Sequence, residues 1–345
     1  MSMELAKGLK QNHNSIRIGP HVLPNRAILA PMSGVSDLPF RRLAARFGAA
    51  MVVCEMVASE SFVKGDAETQ MRAEGQEAGL HVVQLAGRES RWMGEAAKVV
   101  AGLGADIIDI NMGCPAKKVT SGYSGSALMK DLDHALTLIE ATVAAVDVPV
   151  TLKMRLGWDE RTINAPELAR RAEGAGVQLL TVHGRTRNQF YKGTADWRAI
   201  AAVKDAVSVP VIANGDCVCF ETAGEMLRQS GADGVMIGRG AYGRPWMPGH
   251  IGHYLDTGIR KPAPQLSALA DLAEEHYTAI LDHYGTEAGV RIARKHLGWY
   301  LDQAPSRSTL VDKIRTTILT STQPDWVISA LRRWGTQTGP ERAAA

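Results

Sequence analysis

The feature that most constrains the fold is the regular return of short apolar segments. Eight of them occur, at residues 27–32, 51–56, 81–87, 106–113, 150–155, 179–184, 211–216 and 234–240. Between most of them, apolar residues recur at three- and four-residue steps, as in 131–146, which is typical of helices. Near-continuous apolar strands belong to parallel sheets that helices cover. Eight strand–helix repeats therefore predict an α/β protein with a (β/α)8 TIM barrel.

The pattern changes near residue 248, after which only helical spacing is found, beginning at Leu266 and Leu269. A chain of 345 residues is long enough for one large barrel with an appended domain. We predict a barrel in residues 1–248 and a smaller all-helical C-terminal domain in 249–335. Residues 336–345 are expected to form a disordered tail.

Composition excludes several classes of protein. The net charge of +3 is too small to indicate nucleic-acid binding by itself. Four cysteines without a CxxC pair are too few for a disulfide framework. The first 20 residues carry charges throughout, and no apolar run reaches the length of about 20 residues that a membrane helix needs. We therefore expect a cytoplasmic protein that has no membrane partner.

Polar residues gather where the predicted strands end, which is where barrel enzymes place their active sites. One polar residue at a strand end is usually a loop hydrogen-bonder, but a ring of them indicates a site. The ring comprises Met32, Ser33, Glu55, Gln84, Asn111, Cys114, Lys153, Arg155, His183, Arg185, Asn214, Asp216, Gly238 and Arg239.

The last two strand ends suggest a phosphate site. They read NGD at 214–216 and GRG at 238–240. Glycines there let backbone N–H groups approach an anion, and Arg239 can add a bidentate contact. The alternative is that Gly215 and Gly238 only turn the chain. Lys153 is expected to face a ligand carbonyl or an anionic ring, because a buried lysine needs such a partner.

Cys114 lies between Gly113 and Pro115 at the mouth of a predicted strand. A thiol near its free pKa of about 8.5 is mostly protonated at neutral pH, so Cys114 could donate a proton. Cys54, inside an apolar strand, fits a small hydrophobic residue better. Cys217 and Cys219 form a CxC pair without a second ligand pair, and no metal site is expected there.

Several segments together resemble the bacterial tRNA-dihydrouridine synthases, most closely their B subgroup. They are APMSGVSDLPFR at 30–41, QLAG, NMGCPAKKV with SGSALM, LKMR, HGRTR with YKGTADW, NGD and GRG. The resemblance extends over about residues 17–300. No single motif is specific, but their combination and order are.

The resemblance implies that reduced FMN delivers hydride to carbon 6 of a tRNA uracil while a cysteine, here Cys114, protonates carbon 5. NADPH, or NADH, would regenerate the flavin. The cofactor-binding positions would be Pro31, Met32, Ser33, Gln84, Lys153, His183, Asn214, Gly215, Asp216, Gly238 and Arg239. Asn111 and Arg185 would contact the substrate.

A protein that binds a structured RNA also needs basic residues that contact its phosphates. Residues 291–315 contain six basic residues against two acidic ones, and Trp299 and Tyr300 lie among them. A solvated helix face is the usual explanation of such a cluster, but beside a catalytic barrel we favour contact with tRNA. The residues assigned to tRNA are Arg291, Arg294 and Lys295. No obligate protein partner is indicated, and we expect a monomer.

Three alternatives remain open at this point. An FMN-dependent dihydropyrimidine or dihydroorotate dehydrogenase would use a similar barrel but would not need the basic helical region. A Schiff-base aldolase could use Lys153 as its nucleophile. An RNA-binding regulator on an inactive barrel would not need Cys114, Lys153 and Arg239.

Overall fold

The computed structural model describes residues 15–75, 79–303 and 309–336, without the side chains of 309–311. The predicted tail at 336–345 lies outside these ranges except for Thr336. The strands are Arg17–Ile18 (β1), His21–Val22 (β2), Ala27–Leu29 (β3), Met51–Val52 (β4), Val57–Ala58 (β5), Val82–Ala86 (β6), Ile107–Met112 (β7), Val150–Arg155 (β8), Leu180–His183 (β9), Val211–Asn214 (β10) and Gly234–Ile237 (β11).

The α-helices alternate with the strands and then continue alone. They are Leu38–Arg46 (α1), Ser59–Val63 (α2), Ala67–Ala73 (α3), Ser90–Gly102 (α4), Lys117–Thr120 (α5), Leu132–Val143 (α6), Ala165–Gly174 (α7), Arg198–Lys204 (α8), Phe220–Ser230 (α9), Met247–Thr257 (α10), Leu266–Tyr284 (α11), Thr286–Leu301 (α12), Thr309–Thr320 (α13) and Pro324–Gly335 (α14).

The parallel strands form a closed barrel. Hydrogen-bonded neighbours follow the order β4-β3-β11-β10-β9-β8-β7-β6-β5. A parallel bridge between Val53 and Val82 joins the end of β4 to β6, so β4 and β5 are two pieces of one barrel strand. The barrel thus has eight strand positions, and each predicted apolar segment contains a strand. The predicted (β/α)8 barrel with a helical C-terminal region is confirmed.

The barrel core is apolar at the end opposite to the carboxyl ends of the strands. Ile16, Ile18, Leu23, Ile28 and Ile212 are among the residues buried there. The short antiparallel hairpin of β1 and β2 supplies Ile18 to this cluster, and we did not predict this hairpin from the sequence. Towards the carboxyl ends of the strands the buried side chains become polar, as at Gln84 and Asp109. The polar residues of the candidate site are therefore supported by a closed apolar core.

Helix starts are fixed locally by acidic side chains. Asp37 accepts a hydrogen bond from Phe40 N–H at the start of α1, and Asp131 accepts one from His134 N–H at the start of α6. Such caps satisfy a backbone donor that the helix leaves without a partner. They set where each helix begins after its loop.

The boundary between the two compact units differs from the predicted one. The first unit includes the described residues up to Gly240 and Met247–Arg260, and the second includes Ala241–Trp246 and the described residues from 261. Helix α10, which we had placed in the helical domain, packs on β3, α1 and α9. Its Ile251 and Leu255 are buried there because the eighth strand needs a covering helix as the others do.

The helical unit is built from α11 to α14. Helix α11 packs against α12 and α14, and α13 packs against α12 and α14. Its core includes Tyr277, Leu297, Leu331 and Trp334. None of the helices in the described ranges is both long and apolar enough to cross a membrane.

Candidate active site at the carboxyl ends of the barrel strands

Cys114 follows β7 and is half-buried. Its backbone N–H donates to Asn111 Oδ1 over 3.0 Å, and Gly113 N–H donates to the same oxygen over 3.2 Å. Its carbonyl oxygen accepts from Ser126 N–H at 3.1 Å and from Ser126 Oγ at 2.8 Å. The cysteine peptide is therefore held on both sides. Partial burial raises the pKa of the Cys114 thiol above its usual value, so the thiol is neutral at pH 7.

Gly125 explains how the loop after β7 closes over this cysteine. Its φ of 60° favours glycine, and an added Cβ would stand 2.8 Å from Cys114 O and 3.2 Å from Cys114 Cβ. A side chain at this position would push the cysteine peptide away. The SGSALM segment is therefore part of the structure that fixes the thiol.

A row of buried polar groups lies below Cys114. Asn111 Nδ2 donates to Gln84 Oε1 at 2.7 Å, and Gln84 Nε2 donates to Asp109 Oδ2 at 2.6 Å. Thr151 Oγ1 donates to the other oxygen of Asp109 at 2.6 Å. Gln84, Asp109 and Thr151 are direct partners across β6, β7 and β8. We did not predict Asp109 or Thr151 as site residues, although both lie in apolar strands where a polar side chain needs a partner.

Lys153 points from β8 to the end of β10. Its Nζ donates to Asn214 Oδ1 at 3.2 Å, while Asn214 Nδ2 donates to Met236 O at 2.8 Å. Burial and the neighbouring Arg155 charge lower the pKa of Lys153 to about 8. Within the described ranges Lys153 forms no salt bridge, so this cation is available to an anionic or carbonyl ligand.

His183 ends β9 among cations. Burial and the charges of Arg155, Lys153, Arg185 and Arg239 hold the pKa of its imidazole well below the usual range. The ring is therefore neutral at pH 7. Its Nε2 lies 3.3 Å from Arg185 Nη1, which is a donor. The acceptor nitrogen of His183 thus faces Arg185.

Arg185 is buried, with 1% of its side chain exposed, and its N–H donors are turned inward. It pairs with both oxygens of Asp216, at 3.0 and 2.6 Å, in a bidentate contact. It also donates to Lys192 O at 3.1 Å and to Gly193 O at 2.7 Å. Together with the His183 contact, these bonds occupy all five N–H donors of the Arg185 guanidinium. The arrangement favours an anchoring role for Arg185 over the substrate contact that we predicted.

Arg185 holds the NGD turn through Asp216. Asp216 has φ 59° and Gly215 has φ 114°. An added Cβ on Gly215 would stand 2.7 Å from Ala195 Cβ and 2.9 Å from His183 Cδ2, so this position requires glycine. Partial burial opposes ionisation of Asp216, but hydrogen bonds from Arg185 and Ala195 N–H lower the pKa of its carboxyl overall.

The GRG segment is more open than the NGD turn. An added Cβ on Gly238 would meet only Met32 Sδ at 3.7 Å and Ala30 Cβ at 3.8 Å, which are ordinary contacts. The fold itself therefore does not require glycine there. Arg239 is 48% exposed, and its Nη2 donates to Asp216 Oδ1 at 3.2 Å. This side chain is therefore accessible to solvent.

At the carboxyl end of β3, backbone N–H groups make the hydrogen bonds that fix the turn. Pro31 and Met32 are half-buried and Ser33 is exposed. Met32 N–H donates to Ser36 Oγ at 2.7 Å, and Gly34 N–H donates to Glu55 Oε1. The turn after β3 is thus tied to the end of β4. Met32 of this turn lies next to Gly238.

Two further residues of this face, Arg155 of the predicted ring and Tyr191, were given no role from the sequence. Arg155 donates to Gly113 O, Thr186 O and Phe190 O, each at 2.8 Å, and so ties the loops after β7 and β9 together. Tyr191 is 54% exposed, and its ring lies 5.5 Å from the Arg155 Cζ and 5.0 Å from the Arg239 Cζ. The LKMR motif placed Arg155 in the predicted ring, two residues from Lys153 on the same side of the strand, whereas Tyr191 was not predicted.

The other cysteines behave as structural residues. Burial raises the pKa of Cys54 to about 11 and that of Cys217 to about 12. Among the described residues, no group of three or more His, Cys, Asp or Glu side chains is placed to hold a metal ion.

The basic residues predicted to contact tRNA differ in their surroundings. Arg291 is exposed and pairs with Glu287 at 3.1 Å. Arg294 donates to Thr320 O at 3.3 Å, at the C-terminal end of α13, so it has an internal role. Lys295 lies one helical turn after Arg291, on the same face of α12, and is half-buried. Arg307 of the same cluster lies outside the described residues.

Converging polar side chains at the carboxyl ends of eight barrel strands define a (β/α)8-barrel enzyme. A model of the dihydrouridine synthase (Dus) family matches residues 28–324. This chain belongs to the dihydrouridine synthase family, as its motifs predicted.

Relatives and solved structures agree with this assignment. A Rhizobium leguminosarum bv. phaseoli protein named probable tRNA-dihydrouridine synthase is 59% identical over 308 residues, which cover 89% of this chain and 94% of the relative. A Pseudomonas aeruginosa protein named tRNA-dihydrouridine synthase B is 50% identical over 292 residues, covering 84% and 88%. Histamine dehydrogenase from Rhizobium sp. 4-9 shares the fold, with a TM-score of 0.53 at 16% identity over 77% of this chain and 50% of that chain.

Proposed function

We propose that this chain is a flavin-dependent tRNA-dihydrouridine synthase that uses Cys114 as the proton donor and NADPH, or NADH, as the reductant. The observation that carries the proposal is the neutral, half-buried thiol of Cys114, fixed by Asn111 and Ser126 where the barrel strands end. Family membership and the names of the close relatives support the substrate class.

The residues at the strand ends fit FMN. The fold does not require glycine at position 238, so a glycine there suits a cofactor that closely approaches the backbone, and the exposed Arg239 follows it in sequence. Lys153, a cation that forms no salt bridge within the described ranges, suits the electron-rich ring edge of a flavin. Gly238, Arg239, Lys153 and Asn214 would hold the cofactor. When bound, reduced FMN supplies the hydride that carbon 6 of the uracil accepts.

Cys114 has the properties of a general acid. Its raised pKa keeps the proton on sulfur at neutral pH, ready for carbon 5 of the uracil. As the S–H bond breaks and a C–H bond forms, the charges of Arg155 and Lys153 favour the resulting thiolate. The thiolate then recovers its proton from solvent. Asn111 and Arg155 hold the peptide of the donor throughout.

Binding of tRNA would involve basic residues at the surface of the helical unit. Arg291, which is exposed, and Lys295, which is half-buried, lie one turn apart on α12, and Lys313 of α13 is exposed. Arg294 supports the helices instead, through Thr320 O. We place the enzyme in the cytoplasm, where tRNA and NADPH are available, and expect it to act as a monomer.

The test has two parts. The purified protein should be yellow, release FMN on denaturation, and form dihydrouridine in tRNA when NADPH is added. A colourless protein that cannot be reconstituted with FMN would overturn the flavin assignment. A yellow protein that reduces a free pyrimidine but not tRNA would overturn the substrate assignment.

A further inference from the structure

Two buried side chains that do not reach the mouth of the barrel are connected to the Cys114 loop by hydrogen bonds. Asp109 and Thr151 face each other across β7 and β8, at 4% and 1% exposure. Neither can contact a substrate from this depth. Through Gln84 and Asn111, however, the bonds from Asp109 continue to the backbone N–H of Cys114.

We propose that Asp109, held by Thr151, is a positioning residue that fixes the orientation of two successive amide side chains and thereby the position of the Cys114 thiol. The proposal rests on the proposed function for its catalytic consequence, but not for its structural one. We call the series Thr151, Asp109, Gln84, Asn111 and Cys114 N–H the hydrogen-bond chain.

The direction of the hydrogen-bond chain is set at the Cys114 end, where two backbone N–H groups, which only donate, require Asn111 Oδ1. The NH2 group of Asn111 then faces Gln84 and requires its oxygen. At the other end Gln84 Nε2 donates to Asp109 Oδ2; burial raises the pKa of the Asp109 carboxyl, and the hydrogen bonds from Thr151 and Gln84 and the Lys153 charge oppose that rise.

Reversal of either amide would bring two donors or two acceptors together. Gln84 is 1% exposed and Asn111 is 7% exposed, so water has little access to repair such a mismatch. The amides therefore have one favourable arrangement. In it, Asn111 Oδ1 holds both peptide N–H groups that lead into the thiol.

Thr151 fixes the acid in turn. Its hydroxyl donates to Asp109 Oδ1 at 2.6 Å, which prevents the carboxylate from rotating away from Gln84. Thr181 on β9 is a matched control. It is equally buried, at 1% exposure, and among the described residues its side chain makes no hydrogen bond to a member of the hydrogen-bond chain.

Four variants of the flavin-loaded protein test the proposal: Asp109→Leu, Asp109→Asn, Thr151→Val and Thr181→Val. Asn at 109 can still accept from Gln84 with its oxygen and donate to the Thr151 hydroxyl with its nitrogen, so the chain survives. Leu cannot accept at all. The primary measurement is the rate at which iodoacetamide alkylates Cys114, followed by peptide mass, which does not depend on the enzymatic reaction.

Asp109→Leu should raise the alkylation rate of Cys114 by about 5- to 30-fold, the factor that corresponds to the loss of one or two hydrogen bonds. Thr151→Val should raise it less, while Asp109→Asn and Thr181→Val should stay near wild type. In single turnovers with tRNA, Asp109→Leu should slow reoxidation of the flavin and leave its reduction by NADPH unchanged, and Asp109→Asn should restore the rate.

Equal alkylation rates in folded Asp109→Leu and wild type would overturn the proposal. If Asp109→Leu does not fold, equal rates in Thr151→Val and Thr181→Val would overturn it in the same way. If the wild type forms no dihydrouridine, the proposed function fails, yet the alkylation rates still decide whether the hydrogen-bond chain holds the thiol.

Discussion

Replacing Cys114 by alanine separates the two halves of the proposed reaction. The thiol is half-buried and neutral at pH 7, and its peptide is fixed from both sides. Reduction of the flavin by NADPH requires no proton delivered to a uracil. Cys114→Ala should therefore bind FMN and accept electrons from NADPH as the wild type does, and only the transfer to tRNA should fail.

The expected loss can be stated as a free energy. A positioned general acid contributes about 10²- to 10⁴-fold to a rate. At about 1.4 kcal/mol for each factor of ten, this is about 3 to 6 kcal/mol of the activation barrier. Serine should restore little, because a hydroxyl is a much weaker acid than a thiol. Cys219→Ala is the matched control, since Cys219 is also half-buried but caps α9.

Stopped-flow absorbance is the assay. The flavin is first reduced with NADPH, then mixed with tRNA, and its reoxidation is followed while dihydrouridine is quantified. Near wild-type reoxidation with the normal yield of dihydrouridine in Cys114→Ala would refute the reasoning. Cys114 would then be a packing residue.

The same thiol predicts the pH dependence of this step. Because burial raises the pKa of Cys114, the proton remains on sulfur through neutral pH and into the range where a free thiol ionises, near pH 8.5. The rate of the tRNA step should stay level up to that range and fall only above it. A decline that begins below pH 7 would assign the proton to another group.

Three further predictions concern the cofactor, the RNA and the fold. Arg239→Ala should weaken FMN retention by about 1.5 to 3 kcal/mol, measured by equilibrium dialysis, and unchanged retention would place the phosphate elsewhere. Charge reversal at Arg291 and Lys295 should lower tRNA affinity and flatten its salt dependence, with NADPH oxidation unaffected; unaltered binding would make these residues ordinary surface. Gly215→Ala should lower the free energy of unfolding by about 1 to 3 kcal/mol, whereas Gly224→Ala in α9, with open space around it, should not.

The strands of the barrel could be predicted because they are buried on both sides. Segments such as DIIDINMG and VTLKMR are apolar for nearly their whole length, and each contains the strand expected of it. The break in the second barrel strand was not predicted. Met51–Val52 and Val57–Ala58 are separated by residues 53–56, where Cys54 N–H still donates to Val82 O and the Glu55 carboxylate accepts from Gly34 N–H.

The position of helix α10 shows a different limit. Its sequence has helical spacing like that of α11, so periodicity alone could not assign it to either unit. The deciding contact is long-range, since Gly249 lies against the backbone of Phe47, where an added Cβ would come within 1.9 Å of the carbonyl oxygen. Only the closed barrel, with eight helices for eight strands, identifies α10 as the last covering helix.

The sequence predicts the positions of the strand-end residues, but not the contacts that they make. Strand ends identify which side chains reach one face, because parallel strands end at the same edge. They do not identify which side chains use their hydrogen-bonding capacity within the protein. Arg185 and Arg239 both follow strand ends, yet one is 1% exposed and the other 48%.

Asp216 explains why these two arginines differ. It accepts a bidentate contact from Arg185 and a single bond of 3.2 Å from Arg239, so its charge is balanced mainly by the buried partner. In the proposed site, Arg239 would therefore exchange its contact with Asp216 for a phosphate without leaving this partly buried carboxylate unpaired. Arg185 cannot, because its departure would release Asp216, Lys192 O and Gly193 O together. The same residue type thus serves as an anchor in one loop and, in the proposed site, as a ligand contact in the next.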